Sequence, residues 1–313
     1  MKGKLDIKIS FFDIDGTLTN SKQELTKNTI ETLRKAHENG IEIVLCSGRT
    51  NTYVCKYLKE LTGAKYAISS NGAEIYDYEN EINIFEDKMN FLEVKYLWNY
   101  SESNKLSIVI NTISERYANK YTLRPDSKVF VDNIDFLEKE NIFQVVIADS
   151  IYNNMRVLEE IIKDLKNTNV INYSHDYLKN KDNGNHWFDI VKINVNKGNA
   201  IKFLLKELKI DSKDAICFGD SVNDIDMFNE CGIKVAMGNA LDDIKDIATY
   251  VTDTNDDEGI AKFFDKYILK YKKRTLILFV YFFSSLLDIG YKANSNFLLM
   301  SLKSIFLSSV AAE

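Results

Sequence analysis

Residues Ile7–Thr19 read IKISFFDIDGTLT, and the fold turns on how they are understood. A run of apolar and β-favouring residues leads into Asp13 and Asp15, one residue apart, and Gly16 breaks the run. The run has the length of a buried strand. Strand side chains alternate between faces, so Asp13 and Asp15 are predicted to leave on the same side. Two carboxylates so placed repel each other unless a cation lies between them. A divalent ion such as Mg2+ suits that place, because hard cations take oxygen ligands. Taken alone, Asp-x-Asp-Gly is equally a polar turn. The rest of the chain decides between the two.

Downstream, Leu25–Asn39 is predicted to be a helix, with Thr26 as N-cap, Ile30, Leu33 and Ala36 on one face, and Gly40 as its stop. Ile41–Cys46 (IEIVLC) is a second buried strand and ends in Ser47-Gly48-Arg49. Thr50–Leu61 is helical, and Tyr66–Ser69 is a third strand followed by the turn Ser70-Asn71-Gly72-Ala73. Strands and helices alternating over short connections specify a parallel sheet with helices on its faces.

The pattern changes at about Phe85. Helices at Phe91–Ser103 and Tyr152–Leu165 are interspersed with strands at Leu106–Thr112, Arg116–Leu123, Phe143–Ala148 and Val170–Tyr173. This is an α+β insert long enough for its own core, with Lys179–Asn185 as the return linker. The first pattern is expected to resume with a strand at Asp189–Val195 and a helix at Lys197–Leu208. A strand at Ala215–Phe218 then breaks at Gly219-Asp220. A helix at Val222–Cys231, strands at Ile233–Ala236 and Tyr250–Thr252, and a closing helix at Asp257–Leu269 complete it. The expected division is a core in two parts, 1–84 and 187–269, an insert at 85–186, and an apolar tail at 270–313.

Composition bounds the function. Of 313 residues, 45% are apolar and 27% charged, the balance of a soluble globular protein with one large or two ordinary domains. A net charge of −6 argues against nucleic acid or an anionic membrane as the main partner. Cys46, Cys55, Cys217 and Cys231 form no CxxC pair, which points to a reduced, cytoplasmic compartment. No apolar signal region opens the chain. In the tail, Lys272, Lys273 and Arg274 precede the apolar run Thr275–Leu287. That run falls short of the roughly 20 residues of a span, and Lys303 interrupts a second run at Phe297–Val310. The tail is therefore the one segment open to membrane contact. No pattern sets an oligomeric state.

Four clusters fall at the C-terminal ends of predicted parallel strands: Asp13/Asp15, Ser47-Gly48, Lys197, and Asp220/Asn223/Asp224. In open α/β sheets ligands bind at that edge. Two clusters are rich in carboxylates and suit a hard cation. One offers a hydroxyl and backbone N–H groups at a helix start, which suits an anion. The lysine suits phosphate. Singly, each has an ordinary reading. Ser47 is an N-cap, Lys197 a surface lysine, and the Asp220 group a set of helix-start caps. Asn71 is a turn residue or a substrate contact. His37, His175 and His186 form no ligand pattern. Joint occurrence, each at a strand end, outweighs these readings and describes a site for Mg2+ and a phosphate.

The stretches FFDIDGTLT, LCSGRT, NKGNAI and GDSVNDIDM resemble the four ordered motifs of the haloacid dehalogenase (HAD) superfamily. SNGA after the third strand, and an insert between the second and third motifs, resemble its Cof-type branch (class IIB, C2 cap). The resemblance covers Leu5–Leu269. It implies a Rossmann-like parallel-sheet core with an inserted α+β C2-type cap. It implies a Mg2+-dependent phosphatase of small phosphorylated metabolites, such as sugar, nucleotide or cofactor phosphates. Asp13 is then the nucleophile that becomes an aspartyl-phosphate, and Asp15 the general acid–base. The metal is held by Asp13, the Asp15 backbone carbonyl and Asp220, with Asp224 in support. The phosphate is held by the Ile14 and Gly48 N–H groups, Ser47, Lys197 and Asn223, and Asn71 is a candidate substrate contact. Two alternatives use the same scaffold: a phosphomutase or phosphotransferase, and a non-catalytic regulatory protein.

Overall fold

The computed structural model describes residues 5–58, 63–123, 129–172 and 185–269. The end of the second expected helix (59–61), most of the expected linker, His175 and the 270–313 tail lie outside the described residues. In chain order the elements are β1 (Ile9–Asp13), α1 (Lys27–Glu38), β2 (Glu42–Cys46), α2 (Asn51–Leu58), β3 (Ala64–Ser69), β4 (Glu74–Asp77) and β5 (Ile82–Glu86). Next come α3 (Phe91–Asn104), β6 (Ser107–Thr112), β7 (Arg116–Ala118), β8 (Val129–Phe130), β9 (Ile142–Asp149), α4 (Tyr152–Ile162), β10 (Thr168–Asn172) and β11 (His186–Lys192). The last are α5 (Lys197–Leu208), β12 (Ala215–Gly219), α6 (Ile225–Glu230), β13 (Ile233–Ala236), α7 (Asp242–Ile247), β14 (Tyr250–Val251) and α8 (Gly259–Phe264).

An eight-stranded sheet runs β14-β13-β12-β1-β2-β3-β4-β5. Its strands from β14 to β3 pair in parallel, and β4 and β5 extend it as an antiparallel hairpin. All five residues of β1 are buried, as a central parallel strand requires. From β1 the chain winds one way through β2 and β3 and returns on the other side through β12 and β13. That reversal opens a crevice at the C-terminal ends of β1 and β12. The helices begin where capping residues satisfy their first N–H groups. Thr26 Oγ1 accepts from the Thr29 N–H at 3.2 Å, and Asn196 Oδ1 from the Asn199 N–H at 2.7 Å.

A six-stranded sheet, β10-β11-β9-β6-β7-β8, belongs to the insert. Its period of two gives it unlike faces. Ile108, Ile110, Val145, Ile147, Phe188 and Ile190 pack with Val94, Leu97 and Trp98 of α3 and Met155 and Leu158 of α4. The alternate residues, Asn111, Gln144, Trp187 and Asp189 among them, face the other way and line a cavity. Ala73, Phe143, Val191 and Val195 form a small separate cluster.

The strand expected at Asp189–Val195 does not reopen the parallel sheet. It is β11, and it pairs antiparallel with β9 and β10. Phe188 and Ile190 are fully buried, while Trp187 and Asp189 are only partly so. That alternation suits an antiparallel sheet with one packed face, whereas a central parallel strand is apolar throughout. Lys197 is consequently the first residue of α5, and the strand before it lies in the other sheet. The sequence reading also stopped short of β4 and β5.

Candidate active site

β1 delivers Asp13 to the C-terminal edge of the large sheet, where 6% of it stays exposed. The Lys197 ammonium, from the first turn of α5, reaches it from the side. Nζ donates to Asp13 Oδ1 at 2.5 Å and to Asp224 Oδ1 at 2.7 Å. Asp224 is wholly buried and acts as a strut: its Oδ2 accepts from the Asp220 and Ser221 N–H groups at 2.9 and 3.1 Å. The strut shapes the loop after β12 that carries Asp220. Thr17 Oγ1 donates to Asp220 Oδ1 at 2.6 Å. Gly16 makes that approach feasible. It has φ of +86°, and a Cβ there would lie 2.5 Å from Asp220 Oδ2. Carboxylate oxygens of Asp13, Asp220 and Asp224 all fall within 4.8 Å of one another.

β1 ends at Asp13, so Asp15 sits in the following turn and strand alternation does not place it. Arg49, just past β2, holds Asp15 through Nε–H···Oδ2 and Nη2–H···Oδ1, both 2.7 Å. The guanidinium carbon stacks 4.1 Å over the Tyr53 ring. Ser47 is buried, and its Oγ accepts from the Arg49 N–H at 3.1 Å. The Ile14 carbonyl accepts from the Leu18 and Thr19 N–H groups, which folds the turn back on itself. Asn71, buried and in the left-handed region at φ 57°, bridges two elements. Its Nδ2 donates to Asp189 Oδ2 at 2.9 Å, and its Oδ1 accepts from Asn223 Nδ2 at 3.1 Å.

Of the sequence-predicted site residues, Asp13, Asp15, Ser47, Gly48, Asp220 and Asn223 line one cavity of about 590 Å3. Ile14, Asn71, Lys197 and Asp224 lie buried behind its wall. Sequence reasoning missed Arg49, Thr17 and Asn239, whose Nδ2 donates to the Gly16 carbonyl at 2.7 Å. Arg49 was visible within the LCSGRT stretch, but its partner is set by tertiary structure. Asn71 was read as a turn residue or a substrate contact, and its amide is committed to Asp189 and Asn223.

The electrostatics follow from burial. Burial pushes the Asp13 carboxyl well above its ordinary range; Lys197 pulls it back, and Asp224 and Asp220 push it further up. Burial alone would lower the Lys197 ammonium, but Asp13 and Asp224 more than offset it and raise the group above its usual value. Lys197 is therefore a fixed positive charge. Lys197 pairs with Asp13 and Asp224, and Asp220 brings a third carboxylate within 4.8 Å of both, so the cluster holds more acids than cations. Hard oxygen donors with surplus negative charge, beside a glycine cradle, fit a divalent cation.

An acidic cluster at the switch point of a doubly wound sheet, facing an inserted, mainly antiparallel sheet across one cavity, defines a HAD-type α/β hydrolase with a cap. Residues 10–264 match the haloacid dehalogenase-like hydrolases, and the chain belongs to that family. It is 29% identical over 267 residues to the 5-amino-6-(5-phospho-D-ribitylamino)uracil phosphatase YcsE of Bacillus subtilis, spanning 85% of this chain and 97% of that protein. A solved haloacid dehalogenase-like hydrolase from Bacteroides thetaiotaomicron superposes with a TM-score of 0.72 at 27% identity, over 83% of this chain and 99% of that one. The subclass IIB sugar phosphatase BT4131 shares the fold at a TM-score of 0.69 and 23% identity, over 83% and 98%. The α/β core with an inserted C2-type cap is thus the architecture, and the chain is a phosphate-hydrolysing enzyme. No helix of the described residues is long and apolar enough to cross a membrane.

Proposed function

We propose that the chain is a Mg2+-dependent phosphatase of small phosphorylated metabolites that works through an aspartyl-phosphate on Asp13. The convergence of Asp13, Asp220 and Lys197, from three distant parts of the chain, carries the reading. Asp13 attacks phosphorus in line and displaces the alcohol. Lys197 holds one Asp13 oxygen and offsets repulsion between carboxylate and phosphate. Asp15 protonates the departing alkoxide, then takes a proton from the water that cleaves the acyl phosphate. Ser47, the Ile14 and Gly48 N–H groups and Asn223 cradle the phosphoryl oxygens. Asp13, the Asp15 carbonyl and Asp220 would hold the metal, with Asp224 in support. The bound ion supplies charge neutralisation for the transferring oxygens. The insert, which begins near 85 and carries on through β11 at His186–Lys192, acts as the cap over this site, and cysteine usage favours the cytoplasm.

The test is release of inorganic phosphate from a panel of phosphorylated metabolites with Mg2+, using Asp13→Asn as the blank. Phosphate released by the wild type alone, with no acceptor added, supports hydrolysis and removes the phosphotransferase alternative. Silence across the panel, or equal release from the blank, would sink it.

A further inference from the structure

We propose that the cap face above Asp13 is a recognition wall for esters whose alcohol part ends in a planar heterocycle with a lactam or imide edge. This rests on the phosphatase reading above. Asn111 of β6 and Gln144 of β9 stand directly opposite each other in the cap sheet. They are 3% and 1% exposed, unusual burial for two amides on the polar face of a sheet. Asn111 Nδ2 donates to Gln144 Oε1 at 2.7 Å, and Arg116 Nε donates to Asn111 Oδ1 at 3.3 Å. The guanidinium is donor-only, so it fixes which end of Asn111 is oxygen. That in turn fixes Gln144 with its oxygen toward Asn111. Its Nε2 is left buried, without a hydrogen-bond partner among the described residues.

Gln144 lines the same cavity as Asp13. A buried amide N–H2 at a cavity wall is matched by a carbonyl acceptor on a ligand. Two neighbours narrow the class. Trp187 of β11 is part of the same lining, and an indole there favours a flat ring. The Asp189 carboxylate, oriented by Asn71, offers an acceptor for a ring N–H. Carbonyl acceptor, N–H donor and flat surface together describe a lactam or imide. The cavity of about 590 Å3 is far larger than a phosphoryl group fills and has room for a ring at the cap end.

The experiment compares uridine 5′-monophosphate with ribose 5-phosphate, which keeps the sugar ester and lacks the ring. Acetyl phosphate is run alongside as a substrate too short to reach the cap. We expect the wild-type kcat/KM for the nucleotide to exceed that for ribose 5-phosphate at least about ten-fold. Gln144→Glu keeps the acceptor for Asn111 and removes the donor; Trp187→Leu removes the ring face. Each is expected to cut the nucleotide-to-sugar ratio about ten-fold. A ratio within one preparation does not depend on how much of it is folded, and the wild-type ratio needs no variant. Turnover of acetyl phosphate with no wild-type preference, or a ratio unchanged in both variants, overturns the proposal and spares the phosphatase reading. Failure to release phosphate from all three overturns both.

Discussion

Arg49 grips both carboxylate oxygens of Asp15, at 2.7 Å each, with the Tyr53 ring beneath the guanidinium. Lys197 meanwhile holds Asp13. The two acids of the first motif thus have separate cations, and their mutual repulsion is not left to a metal ion alone. A forked pair fixes the plane of the carboxylate as well as its position. Arg49→Lys keeps the charge and loses the fork. If Asp15 serves the leaving group, kcat should fall about ten-fold or more for an alkyl phosphate and much less for an aryl phosphate with an acidic phenol. Equal losses on the two substrates would instead give Arg49 a structural role.

Asp13→Asn removes the attacking carboxylate and keeps its shape. Turnover should drop by about 10^4-fold or more. The fold should persist, because Lys197 keeps Asp224 as a partner. Near-normal phosphate release from a well-folded variant would refute the nucleophile assignment.

Lys197 is 1% exposed and bridges two carboxylates. Lys197→Met has similar volume and no charge, and it leaves two buried acids uncompensated. Breaking a buried pair from one side costs about 3–5 kcal/mol. Thermal or urea unfolding should show a loss of that order together with loss of activity. Inactivity at unchanged stability would mean that Lys197 serves catalysis without supporting the fold.

Much of this was legible in the residues, for physical reasons. Ile9, Phe11 and Phe12 place large apolar side chains on both faces of ISFFD, which reads as a strand buried on both sides. The apolar spacing of Ile201, Leu204 and Leu205 behind the Asn196 cap sets α5, whose bounds match the expectation. The clusters around Asp13, Ser47 and Asp220 were readable because each follows a strand in the same sheet. Lys197 reaches the same place by a different route, since β11 belongs to the other sheet. Short apolar runs do not announce their sheet, and the alternation at Trp187–Ile190 was the available clue. The Arg49–Asp15 and Asn71–Asp189 pairs join residues 34 and 118 positions apart, and no local pattern encodes such partners.

Chelation tests the carboxylate cluster from another side. Asp13, Asp220 and Asp224 carry excess negative charge in a partly buried place. A cation that binds only the folded state stabilises it by mass action. Adding Mg2+ to chelator-treated protein should therefore raise the melting temperature, and the gain should vanish in an Asp220→Asn variant. Activity that survives complete metal removal would count against the assignment.

Glu74 is a buried carboxyl, and burial fixes the sign of its effect on stability. It is 1% exposed on β4 and accepts from Ser70 Oγ at 3.0 Å, beside the left-handed turn that carries Asn71. Burial pushes its carboxyl from an ordinary 4.5 up to about 7, only partly opposed by the hydrogen bond from Ser70. The folded state thus keeps a proton that the unfolded chain gives up. Below about pH 4.5 both states are protonated and the contribution is complete. As pH rises through 7 it is lost, because unfolding releases the carboxyl to ionise in water. The full change is about 3 kcal/mol. Glu74→Gln should leave stability at pH 5 near the wild type and gain on it progressively toward pH 8. Urea unfolding of both proteins at several pH values measures the difference. A constant gap across that range would show that Glu74 does not titrate there.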